Sequence, residues 1–241
     1  MKSPLIIAHR GASAVAPENT MAAFREAIAV GADGIEFDVR LARDGVPVVI
    51  HDNSLRRTAG LPSRIGDLDW SELSKVDVGS WFGSFAGETI PSLHQLFELF
   101  ESNDLVLCLE MKCDSSAEEA PLAAACARLI QQFGFKERVI VECFRLSALK
   151  TIKEIDRRIE TAALFDTPFP SIIAQAEAIG ASYLALHHRL ARGKMLEKAK
   201  LANLKVAVWT VDDPKWIDYA REAGIEALIT NQPQIFTDKK H

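Results

Sequence analysis

Eight short apolar runs, LIIAH, GIEFDV, DLVLCLEMK, RVIVECF, RIETAALF, SYLALHH, LKVAVWTV and EALIT, recur along the chain with room for a helix between most neighbours. The segments between them, among them TMAAFREAIAV, EEAPLAAACARLIQQFG, PSIIAQAEAIG, MLEKAKLAN and PKWIDYAREAG, carry apolar residues at helical spacing. Strand and helix in steady alternation imply βαβ units, and therefore a parallel sheet covered by helices. Eight such strands close a barrel, and 241 residues match the roughly 250 that a (β/α)8 barrel uses. The expectation is an α/β fold, a distorted TIM-type barrel spanning 1–241 as one domain.

Local signals agree with this phasing. Asn19 is expected to cap a helix beginning at Thr20, with Gly31 just past its last apolar turn, and Ser92 with Gln95 reads as a capping box before LHQLFELFE. Two irregularities interrupt the alternation. In EFDVRLARDGVPVVIHD the run PVVI follows the second strand after only a few residues centred on Asp44-Gly45, too few for a parallel crossover. This predicts a β-hairpin that brings His51 back towards Glu36 and Asp38. After it, residues 52–91 are too many for an ordinary loop and carry Trp70, Trp81, Phe82 and Phe85. They are expected to form a small packed insertion that caps the C-terminal face of the barrel.

Composition excludes several classes of function. Hydrophobic residues at 48% and charged ones at 25% are ordinary for a globular chain, and a net charge of −5 disfavours a nucleic-acid coat, which needs a basic face. The opening MKSPLIIAHR has an apolar run too short for a secretory leader, and no later segment is long and apolar enough to span a bilayer. The four cysteines, Cys108, Cys113, Cys126 and Cys143, show neither CxxC pairs nor a disulfide framework. A cytoplasmic protein without stable membrane anchoring is expected, with a frayed TDKKH tail.

Chemistry gathers at the strand ends. Residues two apart in a strand share a face, so Glu36 and Asp38 point together, as do Glu110 and Lys112. The C-terminal ends of barrel strands are where active sites are built. Three converging carboxylates repel unless protonated or bridged by a cation, and an all-oxygen set suits Mg²⁺ or Ca²⁺. Such an ion, with Arg10 and Lys112, would leave a small positive excess suited to a phosphodiester. His9 and His51 are the groups able to exchange protons near neutrality.

The segments AHRGASAVAPENT, GADGIEFDVRLARDGVPVVIHD, LEMK and VAVWTVDD resemble, in this order, the signatures of the glycerophosphodiester phosphodiesterase family. The resemblance implies metal-dependent hydrolysis of glycerophosphodiesters to glycerol phosphate and an alcohol. It assigns His9 and His51 to general acid and base catalysis, and Glu36, Asp38 and Glu110 to one divalent cation. Arg10 and Lys112 would bind phosphate, with Trp209 and Phe144 near the substrate. Which histidine is acid stays open, as does the nucleophile: water, or the neighbouring glycerol hydroxyl through a cyclic intermediate. A lysophospholipase D-type activity and a non-catalytic phosphate-binding barrel are the alternatives. Three features depart from the family pattern. Glu142-Cys143 stands where small polar residues are usual, His187-His188 is unusual, and Asn231 replaces a common Asp and is read as a turn residue.

Overall fold

The computed structural model describes residues 3–237; of the tail expected to fray, residues 238–241 lie outside the described residues. The chain runs β1 (Leu5–His9), α1 (Met21–Ala29), β2 (Gly34–Leu41) and β3 (Pro47–Val49), then two short helical turns, α2 (Arg56–Ala59) and α3 (Trp70–Leu73). It continues through α4 (Leu93–Phe100), β4 (Val106–Met111), α5 (Ser116–Gln132), β5 (Val139–Cys143), α6 (Leu146–Ile155) and β6 (Glu160–Phe165). The last part is α7 (Ile172–Ala178), β7 (Tyr183–His187), α8 (Lys194–Leu201), β8 (Lys205–Trp209), α9 (Trp216–Ala223), β9 (Ala227–Thr230) and α10 (Pro233–Thr237).

Strands β1, β2 and β4 to β9 pair in parallel, and the β1–β2 and β1–β9 ladders close them into an eight-stranded barrel. The odd strand is β3, which lies outside the ring antiparallel to β2 with Val39 opposite Val49. Here Gly45, at φ 80°, makes the predicted hairpin turn.

Alternation along each strand divides the core. Ile35, Phe37, Leu107, Leu109 and Val141 face outward against the helices, where Phe24, Phe37, Phe97 and Phe100 form an edge-to-face and tilted ring cluster. Ile7, Cys108, Ile140, Leu164, Ala185 and Ala207 fill the barrel interior. Residues after β3 pack Leu55, Ile65, Leu73, Val78 and Ile90 onto Val48 and Ile50 of the hairpin, giving a third, separate apolar cluster.

Ser92 and Gln95 form the expected capping box. The start of α1 differs from expectation. Its N-cap is Thr20, whose hydroxyl accepts from the Ala23 N–H, while Asn19 lies in the left-handed region at φ 58°. Asn19 is drawn away from capping because its side chain bonds Asp38 on β2, through Nδ2 to Oδ2 at 2.7 Å and through Oδ1 from the Asp38 N–H at 3.2 Å.

Candidate active site

The first strand ends by turning sharply. Arg10 takes φ 56° and Gly11 φ 82°. The Arg10 carbonyl accepts from the Asn19 N–H at 3.0 Å, closing the loop between them. Gly11 is required twice over: the left-handed region favours it, and an added Cβ would lie 2.7 Å from backbone atoms of Ala23 in α1. This turn points the Arg10 N–H at Glu36 Oε2, 3.0 Å away, and brings its guanidinium to Asp38 (Nε to Oδ2, 3.2 Å) and Glu18 (Nη1 to Oε1, 2.8 Å). His9 sets Nε2 3.8 Å from Glu36 and pairs Nδ1 with Asn231 Oδ1 at 2.7 Å. Asn231 therefore does more than turn the chain after β9: it orients the His9 ring, and is itself held by Asp212 at 2.8 Å.

The hairpin returns His51 to the same mouth. Ile50 N–H donates to the Asp38 carbonyl at 2.9 Å, and Arg40 Nε donates to the His51 carbonyl at 2.7 Å. His51 Nδ1 meets Asp52 Oδ1 at 2.7 Å. Asp52 is gripped by Arg57 of α2, which also makes a two-point contact with Glu18 at 2.8 and 2.7 Å. An alternating chain of charges thus runs from Asp38 through Arg10, Glu18, Arg57 and Asp52 to His51. Sequence patterning gives no warning of it, because Glu18 and Arg57 look like ordinary loop and surface charges.

Glu36, Asp38 and Glu110 are buried, and each offers a carboxylate oxygen within 4.8 Å of the others. Lys112 reaches both Glu110 (2.5 Å) and Asp38 (3.0 Å). Burial raises Glu36 well above the usual carboxylate range, helped by the Asp38 and Glu110 charges. Burial likewise takes Glu110 up to about 7 despite Lys112. Asp38 goes the other way: burial alone would raise it, but Lys112 and Arg10 hold it below its ordinary value. Burial, then Arg10, lowers His9 to about 4, and burial also lowers His51. The acid cluster fits a hard divalent cation, because its donors are all oxygens and Glu36 Oε1 is buried with no hydrogen-bond partner among the described residues.

A cavity of about 190 Å³ brings these groups together, lined by His9, Arg10, Glu36, His51, Glu110 and Lys112 on one side and Glu142, Phe144 and Trp209 on the other. The acid/base candidates His9 and His51, the phosphate-binding candidates Arg10 and Lys112, and Phe144 and Trp209 all line it, and Asp38 lies just behind, bonded to Arg10 and Lys112. Phe144 and Trp209 meet edge to face at 5.7 Å. His187 packs against Trp209 and His188 against Trp216, so neither lines the cavity. A larger cleft of about 410 Å³ on the other side of Lys112, between Arg40, Arg64 and Asp114, shares only that lysine with the site.

Architecture and site together are those of a barrel enzyme whose chemistry sits at the C-terminal ends of its strands. The model of the Glycerophosphoryl diester phosphodiesterase family matches residues 9–235. A glycerophosphodiester phosphodiesterase of Caldanaerobacter subterraneus subsp. tengcongensis is 34% identical over 235 residues, covering 95% of each chain. One from Bacillus altitudinis is 30% identical over 236 residues, covering 95% of this chain and 94% of its own. Among solved structures, an Oleispira antarctica phosphodiesterase in complex with the product sn-glycerol-3-phosphate superposes with a TM-score of 0.91 at 29% identity, covering 98% of this chain and 96% of that one. The chain belongs to the glycerophosphodiester phosphodiesterase family, a family of phosphoric diester hydrolases.

Proposed function

We propose that this protein hydrolyses glycerophosphodiesters to glycerol 3-phosphate and an alcohol, with His9 and His51 as the acid/base pair. The observation that carries the reading is the small cavity in which two imidazoles face a buried acid cluster and two basic side chains. Glu36, Asp38 and Glu110 would hold one divalent cation, Mg²⁺ or Ca²⁺. When bound it supplies positive charge where the phosphoryl group gains negative charge.

The residues divide the remaining work. Arg10, aimed by its contacts to Asp38 and Glu18, and Lys112, between Asp38 and Glu110, take the phosphate oxygens. One neutral histidine accepts the proton of the attacking hydroxyl as its oxygen bonds phosphorus; the protonated form of the other delivers a proton to the leaving alkoxide as the old P–O bond breaks. The Asn231 contact to His9 and the Asp52 contact to His51 fix which ring nitrogen faces the substrate. Phe144 and Trp209 cover the carbon part of the substrate. We read 1–241 as one barrel domain with residues 52–91 inserted over its C-terminal face, acting on a small cytoplasmic substrate. No helix among the described residues is long and apolar enough to cross a membrane.

Hydrolysis of glycerophosphocholine, with and without chelator, tests this reading. Activity is expected to vanish on chelation and return with one divalent ion, and His9→Ala and His51→Ala are each expected to lower kcat by about 10²–10⁴-fold. Near wild-type turnover by either variant in saturating metal would overturn the acid/base assignment.

A further inference from the structure

The cavity has two unlike halves. His9, Arg10, Glu36, His51, Glu110 and Lys112 form the half that handles phosphate and protons. Strands β5 to β9 supply the other, from Glu142, Phe144, Leu164, Trp209 and Ile229. On that half the Trp209 indole N–H is already committed to the Ala185 carbonyl at 3.1 Å. Glu142 is therefore its only side chain with hydrogen-bonding capacity to spare among the described lining residues.

Folding alone does not explain Glu142. It is 2% exposed, sits in register beside Glu110 on the neighbouring strand, and rises from an interior layer of Ile140, Ala162 and Leu164. Its carboxyl takes a hydrogen bond from the thiol of Cys108, a weak donor, and no cation among the described residues lies within ion-pair distance. A buried carboxyl placed beside another, with so little to satisfy it, costs stability unless something entering the cavity completes its hydrogen bonding.

We propose that Glu142 is a specificity-determining residue that hydrogen-bonds a free hydroxyl of the glycerol moiety, while Phe144 and Trp209 cover the carbon chain; this rests on the glycerophosphodiester reading. The geometry favours a hydroxyl because the phosphate is drawn to the opposite, basic half, which leaves an alcohol arm of the diester to face β5, and the glycerol arm is the one that all glycerophosphodiesters share. The volume, about 190 Å³, suits a group of that size. A glycerol carrying an acyl chain at that hydroxyl would leave the Glu142 carboxyl desolvated and unpaired, so the enzyme discriminates against it.

The test compares glycerophosphoglycerol, whose two arms carry only hydroxyls, with bis(p-nitrophenyl) phosphate, a diester without hydroxyls, in wild type, Glu142→Ala and Glu142→Gln. The ratio of kcat/KM for the two substrates is expected to fall on the order of 100-fold in Glu142→Ala. Glu142→Gln, which keeps a hydrogen-bonding group, should recover most of it. Because both diesters need the same cation, a damaged metal site lowers both rates and leaves the ratio unmoved. An unchanged ratio in Glu142→Ala, or a glutamine variant no better than alanine, overturns the role of Glu142 while leaving the activity standing. Wild-type turnover of bis(p-nitrophenyl) phosphate without turnover of any glycerophosphodiester instead overturns the substrate reading itself. Glu142→Gln, which keeps the side-chain volume, should not lower Tm, since it removes a carboxyl from beside Glu110; a loss of several degrees in that variant would mark Glu142 as structural and refute the proposal.

Discussion

Replacing Gly11 by alanine separates two costs that the His-Arg-Gly turn imposes. Gly11 sits at φ 82°, and an alanine there incurs about 1–2 kcal/mol of left-handed backbone strain. Its Cβ would also press to 2.7 Å on the carbonyl carbon, carbonyl oxygen and Cβ of Ala23, where about 3.5–4.0 Å is comfortable. Ala23 belongs to the first turn of α1 and its carbonyl accepts from the Ala12 N–H at 3.0 Å, so relief requires shifting the helix or the turn. Overpacking of that kind adds about 1–3 kcal/mol. Gly45 supplies the control: at φ 80° it carries the same strain, but an added Cβ meets nothing within 4 Å. The lower unfolded-chain entropy of alanine favours both variants equally. In a chain of this size 1 kcal/mol moves Tm by about 2–4 °C, so Gly11→Ala should melt about 2–12 °C below Gly45→Ala. Turnover should separate them further, because displacing His9 and Arg10 by 1 Å can cost about 10²-fold. Thermal unfolding and kcat for the two proteins, measured side by side, decide it. Equal Tm values would show that α1 gives way freely and that Gly11 is needed for its backbone conformation alone.

Three further outcomes follow from the same geometry. Glu110 and Glu142, raised by burial to about 7 and about 8 from an ordinary value near 4.5, bind protons in the folded chain that they release on unfolding. Stability from this source is greatest below about pH 4.5 and declines as pH rises towards 8. Asp38, held low, is charged throughout that window and does not tilt it. Below about pH 6.5 the lowered His9 and His51 tilt stability the other way, so thermal melts in chelator should show Tm falling from pH 6.5 to pH 8, and Mg²⁺ or Ca²⁺ should raise Tm more at pH 8 than at pH 6.5; a metal-free Tm that climbs over that range would refute this. Arg57→Ala should lower kcat about 10–100-fold through loss of the Glu18 and Asp52 contacts, and the Glu18→Gln variant combined with it should be no worse than either alone, whereas full additivity in steady-state kinetics would deny the bridge. Asn231→Ala, which frees the His9 ring, should lower kcat more than it raises KM, and a pure KM effect would argue that Asn231 serves binding instead.

What the sequence could show depended on how far apart the interacting residues lie in the chain. Period-two alternation placed Glu36, Asp38, Glu110 and Lys112 on the inner face because side-chain direction in a strand is a local property. The hairpin was legible for a similar reason: the Asp44-Gly45 turn is too short for any crossover, so His51 had to come back beside β2. Asn19 departs from the expected cap because two local preferences compete in an asparagine, capping a helix or adopting the left-handed region, and the tie is broken by Asp38, 19 residues away on another strand. Asn231 lies 222 residues from His9, and only closure of β9 onto β1 makes them neighbours. The same holds for Arg57 and Glu18, 39 residues apart, each unremarkable until the segment after the hairpin brings Arg57 against Glu18. Local rules thus supply the groups proposed to meet phosphate and protons, whereas contacts distant in the chain supply the groups that hold them. That division also accounts for Glu142, whose inward direction was readable from alternation, while its isolation among apolar and aromatic neighbours appears only when β5 to β9 are brought round to face the histidines.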